Sequence, residues 1–148
     1  MAYYSYDNSK RINLYKQITP TGCAVTCAAM CVRQSPETLR ADGFNINVVE
    51  NWNAIAQRYG YEKFIDGRNS LSGILDILIG GFPAIAKIHD GSGGVSQHWV
   101  VITGYTGNTD QLSASQFTCA DPFTGTFRKL SDTSYSGIYS SKYLFPLK

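Results

Sequence analysis

Cys23 has the residue type and the local position of a reactive nucleophile. It follows Gly22 at the start of a helix predicted over residues 23–33. A helix N-terminus carries partial positive charge and unsatisfied N–H groups, which favour a thiolate and could hold an oxyanion. Cys27 and Cys31 lie one and two turns further along, where packing should make them inert. The alternative is that all three cysteines only fill the core, as buried free cysteine commonly does.

A nucleophilic cysteine needs a base, and the chain has two histidines. His98 opens the apolar run 99–105, shortly after the glycine-rich segment 91–94. A histidine at the leading edge of a strand can point into a cleft while the strand fixes its backbone. His89 precedes Asp90, a pattern typical of a solvated turn. We therefore favour His98 as the base, against the alternative of a core histidine with satisfied hydrogen bonds.

Asp121 is the carboxylate best placed by the sequence to orient such a histidine. It follows the predicted strand 116–120 and precedes Pro122, which restricts the aspartate to extended backbone. The alternative is an ordinary turn residue at a strand end. Asp110 and Asp132 have the same chemistry, but both lie in polar loops.

Gln17 could add a hydrogen-bond donor to this group. It lies six positions before Cys23. An amide N–H₂ at that place could be the second donor to an oxyanion, a contribution of about 2.7–4 kcal/mol in enzymes that use one. Taken alone, a glutamine in a loop has no such meaning.

Helices are predicted to hold the cysteine and to fill the first half of the chain. Capping residues mark where most of them begin. The predicted helices are 23–33, a short helix capped by Ser35 with Pro36 at its first position and ended by Gly43, one from the capping pair Asn47 and Glu50 to Tyr59, and one capped by Ser70 over 71–79.

Strands are predicted to hold the histidine and the aspartate in the second half. They cover residues 83–88, 98–105, 116–120, 126–130 and 142–147. Helices followed by strands indicate an α+β fold in which a helical half packs on an antiparallel β-sheet. We expect a single domain over 1–148, with an irregular arm at 1–22, a mainly helical part at 23–81 and a mainly β part at 82–148.

Composition excludes several classes of protein. Of 148 residues, 43% are hydrophobic and 16% charged, which is not the composition of a disordered chain. The net charge of +2 arises without basic runs, so no nucleic-acid partner is expected. The polar N-terminus lacks a signal core, and charged, glycine or proline residues interrupt the most apolar stretch, 71–88. We expect synthesis in the cytoplasm, with any release by lysis or another non-classical route.

The four cysteines favour reduced thiols over a disulfide framework. Three of them lie four residues apart on consecutive turns of one helix, so bonds among them would join parts that the helix already holds. A disulfide from Cys27 or Cys31 to Cys119 stays open. A zinc site is weaker still, because no histidine pair lies nearby.

The order of these residues resembles the papain-like cysteine peptidases. It is most similar to the compact bacteriocin-processing branch, the double-glycine leader peptidases of bacteria and their phage relatives. In that branch Gly-Cys begins the first helix, His-aromatic-Val-Val-x-x-Gly-Tyr forms the base strand, and Asp-Pro follows with a nearby Gly. Here the corresponding segments are 22–23 (GC), 98–105 (HWVVITGY) and 121–125 (DPFTG).

The resemblance implies a papain-like fold and a cysteine hydrolase without a metal or organic cofactor. Cys23 would be the nucleophile, His98 the base and Asp121 its partner, with Gln17 as the oxyanion donor. Two features depart from the relatives. Ala24 and Val25 replace the Gly-Pro that often follows the cysteine, and His98 follows Cys23 by only 75 residues. The larger papain-type enzymes separate them by roughly 130–150 residues, so the shorter interval agrees with the compact branch.

The substrate and some alternatives stay open at this point. A peptide in bacterial cell-wall material and a leader peptide are both compatible with the resemblance, and a monomer is favoured. The same fold could also be a non-catalytic binding module. A deamidase or acyl transferase could use the same three residues.

Overall fold

The computed structural model of the chain describes residues 3–89, 97–133 and 135–148, with only the backbone described at Tyr3. The glycine-rich segment 91–94 lies outside these residues. The helices in the described part are Cys23–Val32 (α1), Pro36–Ala41 (α2), Trp52–Arg58 (α3) and Leu71–Ile79 (α4). The strands there are Tyr3–Asp7 (β1), Lys63–Asp66 (β2), Ala84–His89 (β3), Gln97–Asn108 (β4), Phe117–Asp121 (β5), Thr126–Lys129 (β6) and Gly137–Phe145 (β7).

The strands form one antiparallel sheet in the order β2-β7-β3-β4-β5-β6, and β1 pairs with β4 beside this path. The sheet and the helices confirm the predicted α+β class. Because side chains alternate across a strand, the two faces of the sheet bury different cores. Ile85 and Val101 belong to the core that includes α1, whereas Ala86 and Val100 belong to the core that includes α4.

Helix α1 is buried on all sides rather than along one stripe. Every residue from Val25 to Val32 is buried. A helix that is apolar all round belongs in the interior, and its small alanine and cysteine side chains let it approach the sheet closely. Its C-terminus ends at Arg33 in the left-handed conformation, where the Arg33 N–H donates to the carbonyls of Ala29 and Met30. The buried helix α1 therefore holds the backbone of Cys23 in a fixed position.

The capping predictions hold for two helices and fail for a third. The Ser35 hydroxyl accepts from Thr38 N–H at α2, and the Ser70 hydroxyl accepts from Gly73 N–H at α4. Helix α3 begins at Trp52 instead of near Asn47, because the Asn51 side chain caps it. The Asn47 amide oxygen accepts from the Thr21 hydroxyl at 2.9 Å, which ties this loop to the turn before Cys23.

Two strands were not predicted. Residues 3–7, expected to be irregular, form β1 on the distal half of β4. β2 pairs with β7 near the C-terminus. In both cases the partner is far away in sequence, so the local pattern does not reveal the pairing. None of the helices in the described ranges has the length and apolar character needed to cross a membrane.

Candidate active site

Gly22 and the turn before it fix the position of Cys23 at the first residue of α1. The Gly22 carbonyl accepts from Thr26 N–H at 3.1 Å and from the Thr26 hydroxyl at 2.7 Å. A Cβ at Gly22 would lie 2.7 Å from the Ile46 carbonyl oxygen and 2.8 Å from Thr19 Oγ1. Only glycine therefore lets the turn and the neighbouring loop approach each other at this point.

The structure brings Cys23, His98 and Asp121 together. His98 Nε2 donates to Asp121 Oδ1 across 2.8 Å. The other ring nitrogen, Nδ1, is then available to the Cys23 thiol, which also hydrogen-bonds the imidazole. Asp121 is only 2% exposed, whereas Cys23 and His98 are partly exposed. A nucleophile, a base and a group that orients the base require an arrangement of this kind, and the catalytic roles of the three residues stay a prediction.

Electrostatics in this group favour a thiolate beside an imidazolium. Burial alone would raise the pKa of Cys23, but hydrogen bonds from His98 and from the Trp99 and Ala24 N–H groups lower it below its ordinary value. Burial alone would lower the pKa of His98, but its bonds to Asp121 and Cys23 raise that pKa to about 9. A proton therefore rests more favourably on His98 than on Cys23 near neutral pH.

Asp121 is held by more partners than the sequence indicated. Its Oδ1 also accepts from Phe123 N–H at 2.9 Å, and its Oδ2 accepts from Arg128 Nη1 at 3.0 Å. Burial raises the pKa of Asp121, but the bonds from His98, Phe123 and Arg128 outweigh it and lower that pKa below its usual value. The carboxylate therefore stays ionised.

Arg128 was not among the predicted site residues. In the β5–β6 hairpin Asp121 lies opposite Thr126, so Arg128 is its diagonal neighbour. A long side chain reaches such a neighbour across an antiparallel pair. The sequence does contain a short turn between two predicted strands and a basic residue seven positions after the aspartate. That pattern predicts the contact only when the register of the hairpin is known.

Gln17 lies close to this group, with its amide engaged elsewhere. Its backbone N–H donates to the Pro122 carbonyl at 2.7 Å, directly after Asp121. Its side-chain Nε2 donates to the carbonyls of Thr19 at 2.9 Å and Pro20 at 3.2 Å. Within the described residues its Oε1 is buried without a hydrogen-bond partner. A role as oxyanion donor stays a prediction, and it requires one of the two carbonyl bonds to be released.

The remaining candidates have other surroundings. Cys27, Cys31 and Cys119 are buried free thiols. Burial raises the pKa of Cys27 well above its usual value, and that of Cys31 and Cys119 to about 12. His89 stacks on Tyr139. The competing aspartates, Asp110 and Asp132, are both exposed. In the described part of the chain no three His, Cys, Asp or Glu side chains cluster as metal ligands would.

Comparison with known proteins places the chain in a family. Residues 9–143 match the model of the Peptidase_C39 like family, and this range includes Cys23, His98 and Asp121. No match was found among curated proteins. The match supports a papain-like cysteine peptidase relationship, and the narrower similarity to the bacteriocin-processing branch stays a prediction. The chain belongs to the Peptidase_C39 like family.

Proposed function

We propose that the protein hydrolyses an amide bond of a peptide through a Cys23-His98-Asp121 triad. The observation that carries the proposal is the hydrogen-bonded series from the Cys23 thiol through the His98 imidazole to the Asp121 carboxylate. Membership of a cysteine peptidase-like family supports the same chemistry.

Each group has a defined role in the proposed reaction. The Cys23 thiolate attacks the carbonyl carbon and forms a C–S bond, while the carbonyl oxygen becomes an oxyanion. The Cys23 N–H and the Gln17 amide would hold that oxyanion. His98 gives its proton to the leaving nitrogen as the C–N bond breaks, which leaves a thioester and a neutral imidazole.

Water completes the cycle. The neutral imidazole of His98 takes a proton from water, and the resulting hydroxide attacks the thioester carbonyl. The C–S bond then breaks, the acid product leaves, and the thiolate–imidazolium pair is restored. Asp121 holds the His98 ring in the correct tautomer and orientation throughout.

Variants at Cys23 test the proposal directly. The wild-type protein would be assayed on purified bacterial cell walls, on peptides containing a double-glycine leader sequence, and on a general peptide panel. We expect Cys23→Ala and Cys23→Ser to lose at least about 1,000-fold in kcat/KM. Cys31→Ala makes the same chemical change two turns along α1 and should retain activity. Full activity in Cys23→Ala would contradict the proposal.

The same assay separates the substrates and the alternative functions. Clearing of cell walls without cleavage of the other peptides would favour a cell-wall peptide as the substrate. Cleavage of the leader peptides without clearing of cell walls would favour a leader peptide as the substrate. Release of ammonia without chain cleavage would favour a deamidase. Transfer of an acyl group to an added amine would favour a transferase. No turnover with an unreactive Cys23 would favour a binding module.

A further inference from the structure

Three aromatic rings and two lysines form a partly exposed cluster that includes Trp99, the residue after His98. We call it the lysine–tryptophan cluster, and its members are Trp52, Trp99, Tyr139, Lys87 and Lys142. The Trp52 and Trp99 ring centroids are 5.2 Å apart. Lys142 Nζ lies 4.4 Å from the Trp52 centroid and 5.9 Å from that of Trp99. Lys87 Nζ lies 5.8 Å from the Trp99 centroid and 5.9 Å from that of Tyr139.

The register of the sheet explains why these side chains meet. Lys87 on β3 is opposite Trp99 on β4 and Ser140 on β7, and Lys142 follows Ser140 by two residues. Residues directly opposite, and residues two apart on a strand, share a face. The register between β3 and β7 shifts after Lys87, which leaves Tyr139 as an extra residue. A bulge of this kind redirects a side chain, and here the Tyr139 ring faces Lys87.

The cluster has more positive charge than its own carboxylates balance. Lys142 has a side chain only 13% exposed, and burial lowers its pKa. Its carboxylate partner is Asp66, 3.7 Å away on a side chain that is 85% exposed. No ion pair involves Lys87 within residues 3–89, 97–133 and 135–148. Lys142 thus has one solvated carboxylate as its partner, and Lys87 has none among these residues. Partial burial weakens the hydration of the Lys142 ammonium group.

Trp99 joins this cluster to the nucleophile. It directly follows His98, and its backbone N–H donates to the Cys23 sulfur. Trp99 therefore contacts the Cys23 thiol with its backbone, and its ring belongs to the cluster. An extended peptide advances about 3.3–3.6 Å per residue, so a subsite at the cluster requires a substrate side chain close to the scissile bond that extends towards the Trp99 ring.

We propose that the lysine–tryptophan cluster is a subsite for an acidic side chain of the peptide substrate. The inference rests on the proposed function, because it takes Cys23 as the attacking group. Lys87 and Lys142 would pair with the substrate carboxylate, and the Trp52 and Trp99 rings would pack against its methylene groups. The alternative is that the lysines only stabilise the rings through cation–π contacts.

A pair of alkylating reagents tests the subsite without knowledge of the natural substrate. N-iodoacetyl-glutamate amide and N-iodoacetyl-glutamine amide carry the same reactive carbon and differ in one side-chain carboxylate. The second-order rate of Cys23 labelling by each would be measured by mass spectrometry at pH 7. We expect the wild type to prefer the glutamate reagent by about five- to tenfold, the effect of a charge pair in a partly buried place.

The lysine variants separate the subsite from the general attraction of His98 for anions. We expect Lys87→Met and Lys142→Met to reduce the preference to about twofold or less, by slowing the glutamate reagent alone. Lys142→Arg keeps the charge and should keep the preference for the glutamate reagent. This variant therefore tests the charge at position 142 even where Lys142→Met does not fold. Lys63→Met makes the same change at an exposed position on β2 and should leave the preference unchanged.

Three outcomes would overturn the inference. Equal rates for the two reagents in the wild type would contradict the subsite, as would a preference that survives in both methionine variants. These results leave the proposed function intact, because Cys23 is still labelled rapidly. Slow labelling of Cys23 by both reagents would instead contradict the activated thiol, and the subsite with it.

Discussion

Arg128 is one of the groups that hold the Asp121 carboxylate of the candidate triad. It occupies Asp121 Oδ2 at 3.0 Å, while His98 occupies Oδ1 at 2.8 Å. Its second terminal nitrogen, Nη2, donates to the Asp132 carbonyl. The guanidinium is therefore fixed on one side by backbone and on the other by the carboxylate that it orients.

We predict that Arg128→Met lowers kcat without a comparable change in KM. A hydrogen bond between charged groups contributes about 1.5–3 kcal/mol, which corresponds to roughly a ten- to hundredfold loss in rate. Without the guanidinium, Phe123 N–H would still hold Asp121 Oδ1, but Oδ2 would lose its partner. The less firmly held carboxylate would bond His98 less well, so the His98 pKa would fall from about 9. The alkaline limb of the kcat profile would then move to lower pH, because the imidazolium that protonates the leaving nitrogen would be lost earlier.

The pH profile separates this role from a structural one. The other titratable groups that interact with Asp121 or His98 are Cys23, Cys27 and Cys119, and none of them is substituted in this variant. Arg128→Lys should restore part of kcat and of the alkaline limb. Arg58→Met removes an arginine paired with Asp42, away from the triad, and should change neither. An unaltered profile in Arg128→Met would contradict the role.

At the residue scale, the groups whose chemistry depends on neighbours in the chain are predictable from the sequence. A cysteine after a glycine at a helix start and a histidine at a strand start are visible without long-range information. Arg128 was missed because its contact depends on hairpin register. The engagement of the Gln17 amide with Thr19 and Pro20 could not be foreseen either, because it depends on the shape of one turn.

At the scale of elements, the junction between the 19–22 turn and α1 positions the nucleophile. We predict that Gly22→Ala destabilises the fold by about 1–3 kcal/mol, since the new Cβ would lie 2.7 Å from the Ile46 carbonyl oxygen. The displaced helix start should also slow alkylation of Cys23. Urea unfolding and labelling rates would measure the two effects.

A second glycine provides the control for this prediction. At Gly137 on β7 the nearest atom of the described residues to a new Cβ, His89 Cδ2, lies at 3.9 Å. Gly137→Ala should therefore change stability much less than Gly22→Ala. Equal stability of Gly22→Ala and the wild type would contradict the packing argument.

Elements with a local signal were predicted more successfully than those without one. Ser35 and Ser70 identified two helix starts correctly, because a capping hydroxyl bonds N–H groups only three residues away. Asn47 was a wrong choice for a cap since its side chain bonds Thr21, 26 residues earlier. β1 and β2 depend on partners in β4 and β7, which no local pattern contains.

At the scale of the whole molecule, the candidate site exists only where two parts of the chain meet. Cys23 lies on a helix in the first part, whereas His98 and Asp121 lie on strands 75 and 98 residues later. The core that includes α1 also includes Ile85 and Val101 from the sheet. The packing that holds α1 on the sheet is therefore the same packing that brings the thiol to its base.

We propose that this packing activates one cysteine and leaves the other three inert. Cys23 is partly exposed with a lowered pKa, whereas Cys27, Cys31 and Cys119 are buried with raised pKa values. Thiolates react with alkylating agents and thiols do not. The alkylation rates of the four cysteines therefore test the activation of Cys23 without any knowledge of the substrate.

The most direct measurement is site-resolved alkylation of the native protein with iodoacetamide from pH 4 to 9, read by mass spectrometry. We predict rapid labelling of Cys23 alone, with an apparent pKa well below the ~8.5 of a free thiol. His98→Ala should slow that labelling at neutral pH, because the imidazolium that favours the thiolate is lost. Labelling of Cys23 no faster than that of Cys27, Cys31 or Cys119 would contradict the account.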